Sequence, residues 1–129
     1  MATRSTIGYV TEDGKVRGTY CHFDGYPAGV GRELLENYHT PEAVEALVQY
    51  EISSLDAGEG VPEYIENEID GPYTWSSPVS FLNDFDLFGS EYSYLLTEDG
   101  WVVNAAYDQK FFNKAFKFLE DVVEVPAEV

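Results

Sequence analysis

The sequence predicts an α+β fold, an antiparallel sheet of about four strands with helices packed on one face. Two observations predict the strands: apolar, β-branched runs flank Asp13-Gly14 and also Asp99-Gly100, and Asp-Gly between such runs is a strong hairpin signal. A third predicts the helices, because apolar residues recur at helical spacing in three segments outside the hairpins. Both turns read Thr-Glu-Asp-Gly, at residues 11–14 and 97–100, which indicates two ββα units.

The first hairpin is expected to join strands over residues 5–11 and 16–23. Side chains alternate between the two faces of a strand, so Tyr20 and His22 share one face while Cys21 lies on the other. The chain then turns at residues 24–27, because the sequence Asp-Gly-Tyr-Pro breaks a strand.

Two short helices are predicted after this turn. Residues 30–38 repeat apolar side chains at helical spacing and form the first. Thr40-Pro41 begins the second, because Thr is a favoured N-cap and Pro suits the first helical position. Val44 and Leu47 then face inward. Glu42 lies in the first turn, where the helix dipole favours a negative charge.

The rest of the chain is predicted to contain short elements and a final helix. Residues 53–90 are interrupted by Gly and Pro but rich in aromatics, so short packed elements are expected there. Residues 91–97 and 101–106 form the second hairpin, and residues 108–121 form an amphipathic helix. The tail, residues 122–129, is expected to fray.

The composition favours one soluble domain over residues 1–129. The chain has 129 residues, 44% hydrophobic and 16% aromatic, which suffices for a core without disulfides. Cys21 is the only cysteine, which indicates a reducing compartment. The first residues lack the apolar stretch of a secretory signal, and no run approaches the length of a membrane span. These features predict a cytoplasmic protein.

The formal net charge is −17, and its distribution is uneven. No Lys or Arg occurs between Arg32 and Lys110, whereas residues 33–109 contain 17 acidic residues. A surface of one charge sign creates a long-range electrostatic field, and a negative field repels nucleic acid and anionic lipid and attracts basic protein surfaces. The same charge also serves solubility or salt adaptation, so charge alone leaves both interpretations open.

The N-terminal third resembles a known group of proteins. The residues that carry the resemblance are Thr3-Arg4-Ser5-x-Ile7, Asp13-Gly14, Tyr20-Cys21-His22-Phe23-Asp24-Gly25-Tyr26-Pro27, Val30-Gly31, Leu34-Leu35 and Tyr38. They are similar to small, uncharacterised proteins encoded by phages and prophages, whose signature is Tyr-Cys-His-Trp-Asp-Gly-Tyr-Pro. Phe23 replaces the usual Trp. The resemblance implies a phage or mobile-element origin and no particular activity.

Charge and resemblance together lead to the main functional hypothesis. The chain is expected to be a non-enzymatic accessory protein, acting in counter-defence or host takeover in the cytoplasm of an infected cell. Its carboxylates would mimic nucleic acid and bind the basic, nucleic-acid-binding surface of a host protein, without contacting nucleic acid or membrane. Self-association is compatible with this role. The carboxylates assigned to the partner are Glu36, Glu42, Glu45, Glu63, Glu66, Glu68, Asp70, Asp84 and Asp86.

A second hypothesis is a small-ligand binder that sequesters a nucleotide-type signal. The only three arginines lie in the N-terminal quarter, near aromatic residues and a glycine-rich approach to a helix. Arginines and aromatic faces hold nucleotide-like anions. The proposed pocket comprises Arg4, Arg17, Tyr20, His22, Tyr26, Gly29, Gly31 and Arg32.

A third hypothesis is a metal-dependent hydrolase that uses His22 and Asp24, two residues apart. Cys21 and His22 are not a thiol-protease dyad, because neighbouring residues on a strand point to opposite faces. Asp84-x-Asp86 starts like a calcium loop, but Phe88 and Leu95 occupy ligand positions. No catalytic residue, resident metal or cofactor is therefore assigned.

Overall fold

The structure is a computed structural model that describes residues 3–55, 63–64, 72–106 and 117–118, and it confirms the α+β class. In this part of the chain, eight strands form one sheet in the order β4-β3-β2-β1-β6-β7-β8, and β5 also pairs with β2. The strands are β1 (Ser5–Val10), β2 (Val16–Cys21), β3 (Ile52–Ser54), β4 (Glu63–Tyr64), β5 (Tyr73–Trp75), β6 (Tyr92–Thr97), β7 (Gly100–Ala105) and β8 (Lys117–Phe118).

Both predicted hairpins are confirmed. β1 pairs antiparallel with β2, and β6 with β7, around the two Asp-Gly turns. Gly14 and Gly100 have φ angles of 84° and 118°, a region that favours glycine. The Thr97 hydroxyl donates to the Gly100 carbonyl oxygen at 2.8 Å. Local turn chemistry therefore fixes each hairpin on its own.

The sheet is mixed and has more strands than the antiparallel sheet of about four strands that the sequence predicts, so that prediction holds only for the two hairpins. β1 pairs parallel with β6, from Ser5↔Tyr92 to Tyr9↔Leu96. β2 also meets β3 in parallel at Cys21↔Ile52. Parallel neighbours need a long connection, and residues 22–91 supply it between the two hairpins.

The predicted placement of the helices on one face is also wrong, because the sheet is covered on both sides. α1 (Arg32–Asn37) and α2 (Pro41–Leu47) cover one face, where Leu34 and Val44 pack with Ile7 and Tyr94. α3 (Pro78–Leu82) covers the opposite face, where Phe81 and Leu82 pack with Val16, Trp75 and Leu95. Alternating strand residues, such as Tyr94 and Leu95, therefore enter different cores.

The helices begin where the sequence places their caps. The Thr40 hydroxyl accepts a hydrogen bond from the Ala43 amide at 3.1 Å, which confirms the predicted start of α2. Ser77 and Ser80 form a capping box at the start of α3. The helix predicted at 30–38 consists of a π-helical turn (Pro27–Gly31) that continues into α1. None of the described helices has the length and apolar character needed to cross a bilayer.

Short elements were expected in residues 53–90, and the described parts contain β4, β5 and α3. The final helix predicted at 108–121 is wrong at Lys117–Phe118, which pair as a strand with Val103 and Val102 of β7. The other residues of that helix, and the tail 122–129, lie outside the described residues.

A close approach of backbones fixes the first hairpin against α3. Gly8 and Gly18 lie opposite each other across β1 and β2. A Cβ atom on Gly18 would lie 2.4 Å from the Ile7 carbonyl oxygen, and one on Gly8 would lie 3.1 Å from the Phe81 ring. Phe81 packs edge-on against Trp75 above this glycine pair, with 4.7 Å between ring centroids. Glycine at position 8 makes room for the Phe81 ring, and glycine at position 18 lets the backbones of β1 and β2 approach closely.

Buried hydrogen bonds tie distant parts of the chain together. The Thr6 hydroxyl donates to the Ser93 hydroxyl at 3.0 Å across the parallel pair. The Asn104 amide donates to the Leu82 carbonyl oxygen at 2.7 Å, at the end of α3. The Tyr94 hydroxyl donates to the Gly25 carbonyl oxygen at 2.6 Å. This last bond attaches the Asp-Gly-Tyr-Pro turn to the centre of the sheet.

Tyr94→Phe is expected to lower the free energy of unfolding by about 1–3 kcal/mol, because it leaves the Gly25 carbonyl oxygen without this partner. Urea titration followed by tryptophan fluorescence measures the change. Tyr26→Phe is the control, because its hydroxyl is in an exposed bond to Asp24 and its loss should cost about 0.5 kcal/mol or less. Equal losses of stability from the two substitutions would contradict a stabilising role for the Tyr94–Gly25 hydrogen bond.

Candidate functional site

The two Thr-Glu-Asp-Gly turns lie at the same end of the sheet. β1 and β6 run parallel, so the turn after each strand emerges on the same side. Glu12 and Asp13 in one turn are exposed, as are Glu98 and Asp99 in the other. We call this end of the molecule the turn end.

An acidic groove opens at the turn end between the two turns and α2. Its volume is about 620 Å³. Four carboxylates line it, two from the turns and two from α2: Glu12, Glu98, Glu42 and Glu45. The other lining residues include Tyr9, His39 and Thr97. Among the described residues that line the groove, none is Lys or Arg.

The groove walls are held by local hydrogen bonds. The Thr40 cap fixes α2, so Glu42 and Glu45 project from its exposed face. His39 donates from Nε2 to the Leu35 carbonyl oxygen at 2.8 Å, beyond the end of α1. Thr97 holds the second turn closed through its bond to Gly100. The acidic side chains therefore stand on fixed backbone.

Two titratable groups at the turn end have shifted pKa values, for different reasons. Burial raises the pKa of Tyr9, and the negative charge of Glu45 raises it further, while Arg17 beside the hydroxyl partly offsets the shift. In the first turn, hydrogen bonds from the Thr11 hydroxyl and the Lys15 amide lower the pKa of Asp13. Of these two shifts, only the part of the Tyr9 shift that Glu45 causes reflects the negative charge of the groove, because the shift of Asp13 comes from hydrogen bonds to its carboxylate.

The structure divides the nine carboxylates predicted to bind a partner. Glu42 and Glu45 line the groove, and Glu36 is exposed on α1. Asp86 is exposed in the segment after α3, on the opposite side of the sheet. Four of the nine lie where no side chain is described: Glu63, Glu66, Glu68 and Asp70.

Asp84 has a structural role. Its carboxylate accepts a hydrogen bond from the Trp75 indole nitrogen at 2.8 Å and another from the Leu87 amide at 3.2 Å. These bonds hold Trp75 beside Phe81 in the second core. An internal partner already uses this carboxylate, so it contributes less to a surface for a partner protein.

The eight residues predicted to hold a nucleotide-type ligand are not in one pocket. Arg4 lies beside the hydroxyl of Tyr20, which also hydrogen-bonds to Nδ1 of His22. The Tyr20 ring stacks on Phe88 with 4.9 Å between centroids. These three predicted residues therefore form one cluster beside Phe88.

The other five residues of that set lie elsewhere. Tyr26, Gly29 and Arg32 line a separate cavity of about 310 Å³. Arg17 borders a shallow depression beside the first turn, and Gly31 is buried in the π-helical turn. The single pocket expected from the clustering of arginines in the sequence is thus divided among several places.

The signature residues 20–27 build a sharp corner. Cys21 is buried, and its thiol contacts the Phe23 carbonyl oxygen at 3.6 Å. The Gly25 amide donates to the Thr3 carbonyl oxygen at 2.8 Å. Asp24 adopts a φ angle of 59°, and its carbonyl oxygen accepts the Val30 amide at 2.9 Å. The backbone hydrogen bonds of residues 20–27 therefore hold the chain in this corner.

His22 and Asp24 have different partners. His22 bonds to Tyr20, whereas the Asp24 carboxylate accepts the Tyr26 hydroxyl at 3.3 Å. Among the residues that the structure describes, no three His, Cys, Asp or Glu side chains are placed to hold a metal ion. Nothing in this geometry favours the metal-dependent hydrolase.

Two residues of the groove, Glu12 and Glu98, were absent from the predicted partner surface. The sequence contains a signal for them, because each occupies the second position of a Thr-Glu-Asp-Gly turn. Their proximity follows only from the parallel pairing of β1 with β6, which the local pattern does not specify. Long-range topology, and not composition, brings them together.

Comparisons of the chain with models of protein families, with curated proteins and with solved structures found no match. The similarity of residues 20–27 to a phage-encoded signature thus stays a prediction. The geometry of the described residues provides the basis for a functional proposal.

Cys21 is expected to resist alkylation in the folded protein. Burial is the main reason that its pKa is raised to about 12, so the thiolate that would react is scarce. Iodoacetamide at pH 8, followed by mass spectrometry, should label Cys21 only after unfolding in urea. Rapid labelling of the folded protein would contradict the burial of the Cys21 thiol.

The same shift predicts a dependence of stability on pH. The thiol is neutral below its unfolded pKa of 9.0, where its full contribution to stability is present. As the pH rises from there toward about 12, the unfolded chain loses this proton first, so the free energy of unfolding falls. Urea titrations at several pH values should show that the free energy of unfolding declines less with rising pH in Cys21→Ala than in the wild type. An identical decline in both proteins would contradict the prediction.

Proposed function

We propose that this protein binds another protein through charge, and that the acidic groove at the turn end receives a basic segment of the partner. The observation that carries the proposal is the convergence of Glu12, Glu42, Glu45 and Glu98 on one concave surface. Carboxylates held on fixed backbone compete for Lys and Arg groups that otherwise bind phosphate. The partner surface is thus one that binds nucleic acid.

The net charge and the groove have complementary effects. A net charge of −17 attracts a basic surface over long distances and raises the rate of encounter. The groove then determines where a Lys or Arg side chain is held, because its four carboxylates line one concave surface together with Tyr9 and His39. Asp84 and Asp86 lie on the other side of the sheet, so the groove is the centre of the proposed interface.

The resemblance of the signature to phage-encoded proteins supports a more specific form of the proposal. In that form, the protein is a non-enzymatic accessory factor and the partner is a nucleic-acid-binding protein of the infected host. An acidic decoy would occupy the surface by which the host protein holds its nucleic acid.

The triple variant Glu42→Gln, Glu45→Gln, Glu98→Gln tests the role of the groove. It is expected to bind a fluorescein-labelled oligoarginine peptide about tenfold more weakly than the wild type, since each exposed ion pair contributes about 0.2–1 kcal/mol. Fluorescence anisotropy at low and high salt measures the affinity. Binding by the wild type should weaken steeply as salt increases.

A matched variant separates the groove from net charge. Glu36→Gln, Asp86→Asn, Glu91→Gln also loses three charges, at positions that do not line the groove. Its affinity for the peptide should fall by about twofold or less. If both triple variants weaken binding equally, net charge alone explains the attraction and the groove is not a binding site.

The nature of the partner is tested with immobilised wild-type protein and a bacterial lysate. Proteins retained by the wild type and lost with the groove variant are expected to elute with added duplex DNA as well as with salt. Partners that elute with salt but resist saturating DNA would contradict a nucleic-acid-binding surface, while leaving the groove itself supported by the peptide experiment.

A further inference from the structure

The first turn separates two surfaces of different charge. On one side lies the acidic groove, and on the other lies a shallow depression whose lining includes Lys15 and Arg17. Thr11 and Glu12 belong to the lining of both surfaces. The depression also contains Asp13, but its carboxylate already accepts hydrogen bonds from the Thr11 hydroxyl and the Lys15 amide. A partner segment that extends from the groove across the first turn therefore meets positive side chains.

Arg17 is the basic residue that reaches the wall of the groove. It lies opposite Tyr9 across β1 and β2, and Tyr9 lines the groove. Burial raises the pKa of Tyr9 and the negative charge of Glu45 raises it further, whereas Arg17 lowers it through its charge and a hydrogen bond to the hydroxyl. Both charged groups therefore lie near the same hydroxyl, one on β2 and one on α2.

Tyr9 holds the positive charge of Arg17 in place. The Tyr9 side chain is 7% exposed and belongs to the first core with Ile7 and Leu96, so its ring is fixed by packing. Arg17 is exposed, and a free arginine side chain has many rotamers. The bond to Tyr9 restrains the guanidinium at the edge of the groove. The charge is thus a fixed part of the surface that a partner contacts.

A fixed cation at the edge of an anionic groove acts as a repulsive element. Specific interfaces combine attraction for the correct partner with repulsion of incorrect ones. The carboxylates of the groove attract Lys and Arg, but a partner cation placed beside Arg17 meets a like charge, which is destabilising. An acidic residue of the partner at the same position would instead form an ion pair with the guanidinium.

We infer that Arg17 selects among basic partners, and that the preferred segment carries an acidic residue next to its Lys or Arg residues. The inference rests on the proposed function, because it concerns the same groove. A net charge of −17 alone would favour the most basic surface available. Arg17 narrows this choice to a surface of mixed charge, so it is a specificity-determining residue of the interface.

Two fluorescein-labelled peptides test the selection: hexaarginine, and a peptide of four arginines with an aspartate at each end. The second peptide can present a carboxylate to Arg17 whichever way it lies in the groove. Arg17→Gln is expected to bind hexaarginine about threefold more tightly than the wild type, because the like charge is gone. The same variant is expected to bind the mixed peptide about threefold more weakly, because an ion pair is lost. Fluorescence anisotropy measures both affinities.

Arg4→Gln is the matched control, because it removes the same group beyond the other end of β1. The six residues of β1 span about 20 Å, which exceeds the Debye length of about 10 Å at about 0.1 M salt. Neither affinity should change by more than about 1.5-fold in this variant. Arg17→Lys retains the charge and should keep the wild-type order of the two peptides. A misfolded variant would lose affinity for both peptides, so misfolding does not produce changes of opposite sign.

The outcome separates this inference from the proposed function. If the wild type does not bind hexaarginine, the groove is not a binding site for basic segments and both proposals are wrong. If the wild type binds, but Arg17→Gln changes the two affinities in the same direction or leaves them unchanged, only the selective role of Arg17 is wrong. Equal changes in Arg17→Gln and Arg4→Gln would also overturn it, because net charge would then explain the effect.

Discussion

The parallel pairing of β1 with β6 is the constraint on which the rest of this structure depends. Each hairpin forms from local turn chemistry, but their side-by-side alignment places both acidic turns at one end. The same pairing places Tyr94 under the signature corner, where its hydroxyl holds the Gly25 carbonyl oxygen. Without the pairing of β1 with β6, the two turns would not flank one groove, and the signature corner would lose its hydrogen bond to Tyr94.

The two ends of the sheet therefore differ in how they use charge. At the turn end, carboxylates converge on a groove and the net field dominates. At the opposite end, beside the signature corner, the lining of the smaller cavity includes one arginine, two carboxylates and one tyrosine. Both sites rest on a sheet covered on both faces, since α1 and α2 pack on one side and α3 on the other. Two buried cores keep the ends rigidly apart.

The sequence predicts the local features of this fold well. The Asp-Gly turns and the Thr40 cap both depend on neighbouring residues, and both are confirmed. It does not predict the parallel register or the second core, because these depend on contacts between segments far apart in the chain. Lys117–Phe118 has a helical pattern but pairs with β7 as a strand, so tertiary contacts override local preference there.

The separation of β1 from β6 along the chain also affects how the protein reaches its folded state. Thr6 and Ser93 are hydrogen-bonded neighbours separated by 87 positions. Contacts between positions so far apart in the chain require a long loop to close, and the entropy lost in closing it slows folding. During synthesis the first hairpin leaves the ribosome long before β6, so the edge of β1 that pairs with β6 has no partner in that interval. An unpaired strand edge is a template for aggregation, so the nascent chain is most exposed to misassembly in the interval before β6 is synthesised.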